Sequence, residues 1–481
     1  MWARRAHSSR STMSRGCGFA DLLAATMSKG VPFMIANISR RSLVKGVAAT
    51  AATAAAAGSL NLAGGGRQST VFAAPTLVQS AGSQLEIKYW TTNGSGSEAT
   101  AEEKLTKDFE AANPGIKITR TLQPSYEDLA ASLVAALQTG DEPHLAILSD
   151  VWWFRFYLSE SIADLTPLLT EAKIDTSDYV QSLFVEYQRN GGQYAVPYGR
   201  STPLLYYNQD ALDAAGLDKS IFEKWSTFGE NAPRLAGGKT EFAFGFGTGS
   251  RYGAWVLQGA VWAFGGHYSD KDFNILIAEA PAVEAGEFFR KSVSDKWAHT
   301  SKDPEQDFMY GVNAAVLAGS SAISKFNESA KFTFGTAFLP EEKQFGCCTG
   351  GAGLAILKSA PQEVQAASVA YMDFLTNTES TTYWAQTTGY MPVRTSAIES
   401  PSEQAYLDKN PNNRISIEQL PKTQPQDSAR VFIPNGDQIL GNGWEQILVK
   451  NIPAQDAFND VKDQLDQEKE PVLEQIKALE G

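Results

Sequence analysis

The sequence predicts an α/β fold arranged as two lobes. Three observations predict it. A chain of 481 residues is longer than one compact core accommodates and suits two domains of ordinary size. From residue 84 onward strand patterns alternate with helix patterns, as in a parallel sheet covered by helices. Apolar residues make up 43% and charged residues 20%, a soluble globular mixture.

Residues 1–73 are expected to be a leader. Ser39-Arg40-Arg41-Ser42-Leu43-Val44-Lys45 carries a twin-arginine pattern, and an Ala-rich, weakly hydrophobic run follows from Gly46 to about Ala63. Such a pattern is a receptor-read export address, with cleavage expected after Ala73 in Val71-Phe72-Ala73. The alternative is a membrane anchor, but the run is poor in transfer free energy and barely spans a ~30 Å hydrocarbon core. No Cys closes the run, so no lipid anchor is expected, and Met34 would open a compact leader by itself.

Beyond the leader, Leu85-Glu86-Ile87-Lys88-Tyr89-Trp90 alternates as a strand. Glu98 to Ala112 sets Leu105, Phe109 and Ala112 on one helical face, and Asn113-Pro114-Gly115 stops that helix. Ile116 to Thr119 is the second strand. Leu129, Leu133, Ala136 and Leu137 mark a second helix, and Leu145 to Leu148 is a third strand closed by Ser149-Asp150. Ligands of such sheets bind beyond the carboxyl ends of the strands, which puts Trp90 and Asp150 at the mouth of a cleft. Leu204 to Asn208 is a further strand, followed by a helix that ends at Gly216. Gly245 to Gly253 reads as a flexible Gly-rich connection, and Asp456 to Leu479 as an amphipathic helix with Phe458, Val461 and Leu465 on one side. No internal repeat or long low-complexity stretch follows the leader.

Charge excludes one class of partner. The chain carries 41 basic and 54 acidic residues, or −13. Nine of the basic residues and one acid fall in residues 1–75, so the remainder holds 32 basic against 53 acidic, or −21. An acidic body of that kind repels nucleic acid and anionic lipid. Cys347 and Cys348 adjoin, and the other cysteine, Cys17, lies in the leader, so no disulfide framework exists. Two buried thiols are expected; the alternative is a strained bridge between neighbours.

Catalytic signatures are absent. His144, His267 and His299 lack the spacing of metal ligands, and there is no His-Glu-x-x-His, no Gly-x-Ser-x-Gly elbow, no phosphate loop and no dinucleotide fingerprint. No cofactor and no metal is expected, and the chain does not read as an enzyme. Carboxylate pairs of glycoside hydrolases leave no local signature, so a secreted hydrolase stays as an alternative from another class. A ligand-sensing or adhesive surface protein is a third. Aromatics in polar, Gly-containing settings suit polyol or sugar ligands: Trp90, Tyr126, Trp152, Trp153, Tyr252, Trp255, Trp262 and Tyr390. The competing reading for each of them is core packing.

Several stretches, in order, carry a resemblance. They are Phe109-Glu110-Ala111-Ala112-Asn113-Pro114-Gly115-Ile116, Ser201-Thr202-Pro203-Leu204-Leu205-Tyr206-Tyr207-Asn208, Thr349-Gly350-Gly351-Ala352-Gly353-Leu354, Thr388-Gly389-Tyr390-Met391-Pro392-Val393 and Ala429-Arg430-Val431-Phe432-Ile433-Pro434. The chain resembles the extracellular solute-binding proteins of carbohydrate-type ABC importers, and within them the binders of glycerol 3-phosphate and glycerophosphodiesters, over nearly all of its length after the leader. The resemblance implies a type II periplasmic-binding-protein clamp, α/β with parallel or mixed sheets, closing by a hinge around one ligand. It implies lobe 1 over 84–198 and 334–386, lobe 2 over 199–333 and 387–481, and a monomer that delivers its small-molecule ligand to ABC permease subunits driven by a cytoplasmic ATPase. Its location would be the periplasm or the extracytoplasmic face of the membrane.

The resemblance also implies a site. Tyr126 and Ser201 match ligand-contacting residues, Asp150 an acceptor for glycerol hydroxyls, and Gly350 and Gly351 a place where backbone approaches the ligand, which requires the absence of a Cβ. Tyr390 and Arg430 look like a phosphate grip, since a guanidinium fork and a phenol both donate to phosphate oxygens. For Arg430 the alternative is a salt bridge in the hinge region. The serine turn is out of register, which leaves Ser320 and Ser321 both as candidates. Where members selective for the monoester carry an indole pair, this chain has Phe246, Tyr252 and Trp255, which leaves room for a diester headgroup such as choline, whose cation suits aromatic faces. A neutral oligosaccharide in the same clamp is the closest alternative ligand.

Overall fold

Alternation builds the first strand. In β1 (Leu85–Thr91) Ile87 and Tyr89 are fully buried while Glu86 and Lys88 face water. The computed structural model describes residues 84–248 and 251–481, within the unit Val71–Gly481. The expected leader lies outside the described residues, as do Gly249 and Ser250. No described helix is long and apolar enough to cross a membrane.

The first sheet has the order β2-β1-β3-β12-β6, where β2 is Ile116–Leu122, β3 Leu145–Ser149, β6 Val196–Ser201 and β12 Gly350–Ile356, and β2 and β3 run parallel to β1. The helix Gly96–Ala112 buries Leu105 and Phe109, but Ala112 is exposed, because the chain is already turning into its cap at Asn113. Ser125 caps the helix Tyr126–Thr139 by accepting from the Asp128 amide at 3.1 Å, and Gly140 ends it in the left-handed region. A short hairpin, β4 (Gln188–Arg189) with β5 (Gly192–Gln193), precedes β6 (Val196–Ser201).

Thr202 alone separates β6 from β7 (Pro203–Asn208), the first strand of the second sheet. That sheet has the order β11-β7-β10-β8-β9, with β8 (Phe242–Gly247), β9 (Ala298–Ser301), β10 (Asn313–Gly319) and β11 (Phe334–Ala337). β12 (Gly350–Ile356) then returns to the first sheet, antiparallel to both β3 and β6. The result is the α/β clamp with two mixed sheets.

One expectation changes. The Gly-rich connection proves to be largely regular: Phe242–Gly247 is a strand and Arg251–Val256 a helix. Gly245 is there because Asn313 packs on it, about 3.0 Å from where a Cβ would sit. β11, which begins at the expected boundary of 334, pairs with β7 of the second sheet. The helix Thr378–Thr388 packs on Gly96–Ala112, and Arg394 donates to Asp373 at 3.0 Å and to the Asp175 carbonyl at 2.7 Å.

The crossings are tied together. Thr202 Oγ1 lies 2.9 Å from Cys347 Sγ and 3.1 Å from the Cys348 carbonyl, and Gln419 Nε2 donates to it at 3.1 Å. Cys347 and Cys348 are buried free thiols, and burial raises that of Cys347 to about 12. The last helix, Ala454–Glu480, packs Ala454 and Phe458 against Gly286 and Val461 against Gly443 in the second lobe. Its far end crosses to the first lobe, where Glu480 accepts from Arg189 at 2.7 and 3.0 Å and from the Tyr157 hydroxyl at 2.8 Å.

Candidate functional site

Five of the expected site residues, Asp150, Ser201, Trp255, Gly350 and Gly351, meet at the start of β12, beside a register shift that turns the strand. Gly350 lies opposite Ser201 of β6, and a Cβ on it would meet Trp255 Nε1 at 2.4 Å. Gly351 has φ of 110°, and a Cβ there would stand 2.0 Å from the Gly199 carbonyl, so both positions accept glycine alone. Trp255 Nε1 donates to the Thr349 carbonyl at 3.1 Å, which turns the indole edge into the wall of the turn. Ser201 is buried, and a Cβ on Gly319 would meet its Oγ at 3.1 Å. These contacts join Ser201, Trp255, Gly350 and the end of β10 at one point between the lobes.

Asp150 follows β3, at the carboxyl end of the strand where the sequence placed it, and its amide donates to the Gly351 carbonyl at 2.9 Å. Its carboxylate accepts from Gln426 at 2.5 Å and from Arg430 at 3.2 Å. Arg430 belongs to the helix Ser428–Val431, whose Ala429 amide is held by Ser269 of the second lobe at 2.8 Å. The pair is therefore an ion pair between lobes. The guanidinium is not saturated by it. Arg430 is 6% exposed and also donates to Gln426, yet its Nε has no partner among the described residues. A buried donor in that condition is open to a ligand acceptor.

Tyr126, Tyr390 and Ser321 form a second group, with the Tyr390 hydroxyl bonded to both Tyr126 and Ser321. Burial, with the Glu98 charge next, raises the Tyr390 phenol to about 12, and burial raises Tyr126 well above the usual phenol value. Both are therefore neutral donors at physiological pH. The Tyr390 ring stacks on Trp384 at 5.8 Å. Ser320 is buried with its Oγ unpartnered among the described residues, whereas Ser321 leads into the helix Ala322–Ser329. Tyr252 is 38% exposed, its ring 5.5 Å from Trp255. Its hydroxyl accepts from the Gly319 amide at 2.8 Å and donates to Glu305 at 3.3 Å. Trp153 and Trp262 are core residues, as is Phe246, which packs between Phe244 and Phe289.

Sequence reasoning missed a second charged cluster. Arg200, fully buried at the end of β6, pairs with Glu186 and donates to Tyr187 at 2.7 Å and to Thr349 at 3.1 Å, and Thr349 also bonds Glu186. An arginine inside an otherwise apolar strand, next to Ser201, was the available signal; Glu186 had none. Burial raises the Glu186 carboxyl, and the Arg200 charge offsets part of that rise. Asp150, Glu186, Gln426, His267, Asp427 and Phe432 line a cavity of about 370 Å³ between the lobes. Among the described residues no cluster of side chains could hold a metal ion.

Comparison with known proteins shows the family and the fold. A family described as bacterial extracellular solute-binding protein matches residues 104–413. The sn-glycerol-3-phosphate-binding periplasmic protein UgpB of Salmonella typhimurium is 27% identical over 342 residues, 67% of this chain and 78% of that protein. The crystal structure of UgpB from Mycobacterium tuberculosis in complex with glycerophosphocholine is similar at 37% identity and a TM-score of 0.76, covering 82% of this chain and 99% of that one. The GacH receptor of Streptomyces glaucescens shares the fold at 18% identity and a TM-score of 0.71, over 80% and 99% of the two chains.

Proposed function

From the premise that the chain belongs to the bacterial extracellular solute-binding proteins, we propose that it captures glycerol 3-phosphate or a glycerophosphodiester outside the cytoplasm and delivers it to an ABC permease. The observation that carries this reading is the unpartnered Nε of buried Arg430 beside the Asp150 carboxylate, whose own amide is held by Gly351. Arg430 and Tyr390 grip the phosphate, Asp150 accepts from the glycerol hydroxyls, and Ser201, Ser320, Tyr126 and the glycine backbone complete the enclosure. Trp255 and Tyr252 offer ring faces to the apolar side of the ligand. Similarity to proteins named for glycerol 3-phosphate and solved with glycerophosphocholine supports it. Ligand touches both lobes, so it favours the closed form by its differential affinity, and that form docks on the permease. The twin-arginine leader exports the chain to the extracytoplasmic side, where it works as a monomer without catalysis.

Thermal unfolding of the protein without its leader, with glycerol 3-phosphate, glycerophosphocholine or maltose, tests the reading. A ligand at 100 times its Kd stabilises by about 2.7 kcal/mol. Stabilisation by a phosphate compound, abolished in Arg430→Ala, is expected. A response to maltose alone would keep the fold and overturn the ligand.

A further inference from the structure

A buried carboxylate of the first lobe stands behind the tyrosine pair of the cleft. Glu102 is fully buried on the helix Gly96–Ala112. Its oxygens accept from the Tyr89 hydroxyl at 2.8 Å, the Thr91 hydroxyl at 3.0 Å and the Asn93 side-chain amide at 2.8 Å, and pair with Arg120 at 2.9 Å. A carboxyl that only accepts, from four donors, is the ionised form. Burial raises its pKa above the usual value, and the Arg120 charge offsets part of that rise. An apolar side chain would fill the same space without the cost of desolvating a charge. What the carboxylate adds is direction.

Its donors belong to β1, to the residue just past its end, or to β2. Thr91 closes β1, and its hydroxyl also accepts from the Asn93 amide at 3.2 Å. Arg120 of β2 donates to the Asn93 carbonyl at 2.9 Å as well. Glu102 thereby fixes the residues on both sides of Thr92. Thr92 is where the network reaches the cleft: its side chain bonds the Tyr126 hydroxyl, and Tyr126 bonds Tyr390. Trp384 stacks on the Tyr390 ring and settles its plane, while the Tyr390 hydroxyl is bonded to Tyr126 and Ser321. Glu98, one turn before Glu102 on the same helix face, adds its charge at Tyr390.

We propose that Glu102 is a positioning residue for ligand capture: it locks Thr91 and Asn93, and through Thr92 and Tyr126 it aims the Tyr390 hydroxyl at the ligand. This rests on the reading of Tyr126 and Tyr390 as ligand contacts. The physical reason is that a phenol hydroxyl turns about its C–O bond and a threonine about its χ1, so neither direction is set unless the turn beneath them is. A donor aimed before the ligand arrives spares the ordering cost that a freely turning hydroxyl carries. Glu102 itself touches no ligand; its effect passes along three hydroxyls.

Isothermal titration of the wild type, Glu102→Gln, Tyr126→Phe and the double variant with glycerol 3-phosphate and glycerophosphocholine tests the chain. Glu102→Gln is expected to weaken binding roughly fivefold in the wild-type background and less than about twofold in Tyr126→Phe, where the chain is already cut. A residue that only holds the lobe together would lower the melting temperature and weaken binding equally in both backgrounds. Equal losses would therefore overturn the role of Glu102 and leave the ligand reading intact, as would unchanged affinity in a Glu102→Gln protein that circular dichroism shows to be folded. If that variant does not fold, Thr91→Val, which removes one donor to the carboxylate, takes its place in the same cycle with the same outcomes. Wild-type protein that binds neither compound, or Tyr126→Phe that binds both as the wild type does, would overturn the ligand reading at these tyrosines and the proposal with it.

Discussion

The two charged pairs of the cleft are held in opposite ways. Glu186–Arg200 sits inside the first lobe, with Thr349 bonded to both partners and Tyr187 to the arginine. Asp150–Arg430 joins one lobe to the other, with Gln426 as its only further partner among the described residues. Opening of the hinge is expected to leave the first pair intact and to part the second. One pair is scaffold inside a lobe; the other is a clasp between the lobes.

The largest expected effect follows from breaking the scaffold pair. Arg200→Ala leaves a buried carboxylate without its cation, and removing one partner of such a pair costs about 3–5 kcal/mol. Urea unfolding at pH 7 measures it, and a loss below about 1 kcal/mol would erase the distinction between the pairs. Arg430→Ala should cost less, about 1–3 kcal/mol, because Asp150 regains water when the lobes part. The turn beneath both pairs comes next. Gly351→Ala forces a Cβ against the Gly199 carbonyl, at 2.0 Å in the present backbone. Overpacking of that kind costs about 1–3 kcal/mol, and ligand affinity should drop with it.

The scaffold pair also marks where sequence reading ended. β1, β2, β3 and β7 were legible because each alternates or runs apolar between clear stops, and Asp150 could be placed because a carboxyl strand end is a topological position. Gly350 and Gly351 were reached through a motif, and the structure supplies the reason, the indole of Trp255 and the carbonyl of Gly199. Glu186 was not legible. It lies in the short turn Val185–Tyr187, and only the fold brings it to Arg200 and Thr349, 14 and 163 residues away. The end of β8 was misread because Gly245 serves close packing on Asn313 rather than flexibility.

A smaller effect is expected at the strap. The helix Ala454–Glu480 is anchored in the second lobe and reaches Arg189 and Tyr157 of the first through Glu480. These side chains are partly exposed, so Glu480→Gln should cost at most about 1 kcal/mol in stability. Its effect on hinge motion should be larger than on stability: ligand release, followed by stopped-flow fluorescence, should quicken severalfold. An unchanged release rate would mean that the clasp at Asp150 alone sets the opening.

The smallest effect concerns what the clasp stands on. Asp427 begins the segment that carries Arg430, and it accepts from Trp262 at 3.0 Å, from the Tyr268 amide at 2.6 Å and pairs with His267 at 3.2 Å. The hydrogen bond to Asp427, more than the opposing burial, raises the His267 pKa above its usual 6.5. A raised histidine contributes stability that is fully present below pH 6.5 and is lost as pH rises through the folded value. Melting temperature should therefore decline over that interval in the wild type and be flatter in His267→Gln. The scaffold pair has no such support, since Glu186 and Arg200 face no histidine among their bonded partners. If the two proteins show the same slope, His267 does not contribute to the base of the clasp, and the pairs differ only in which lobes they join.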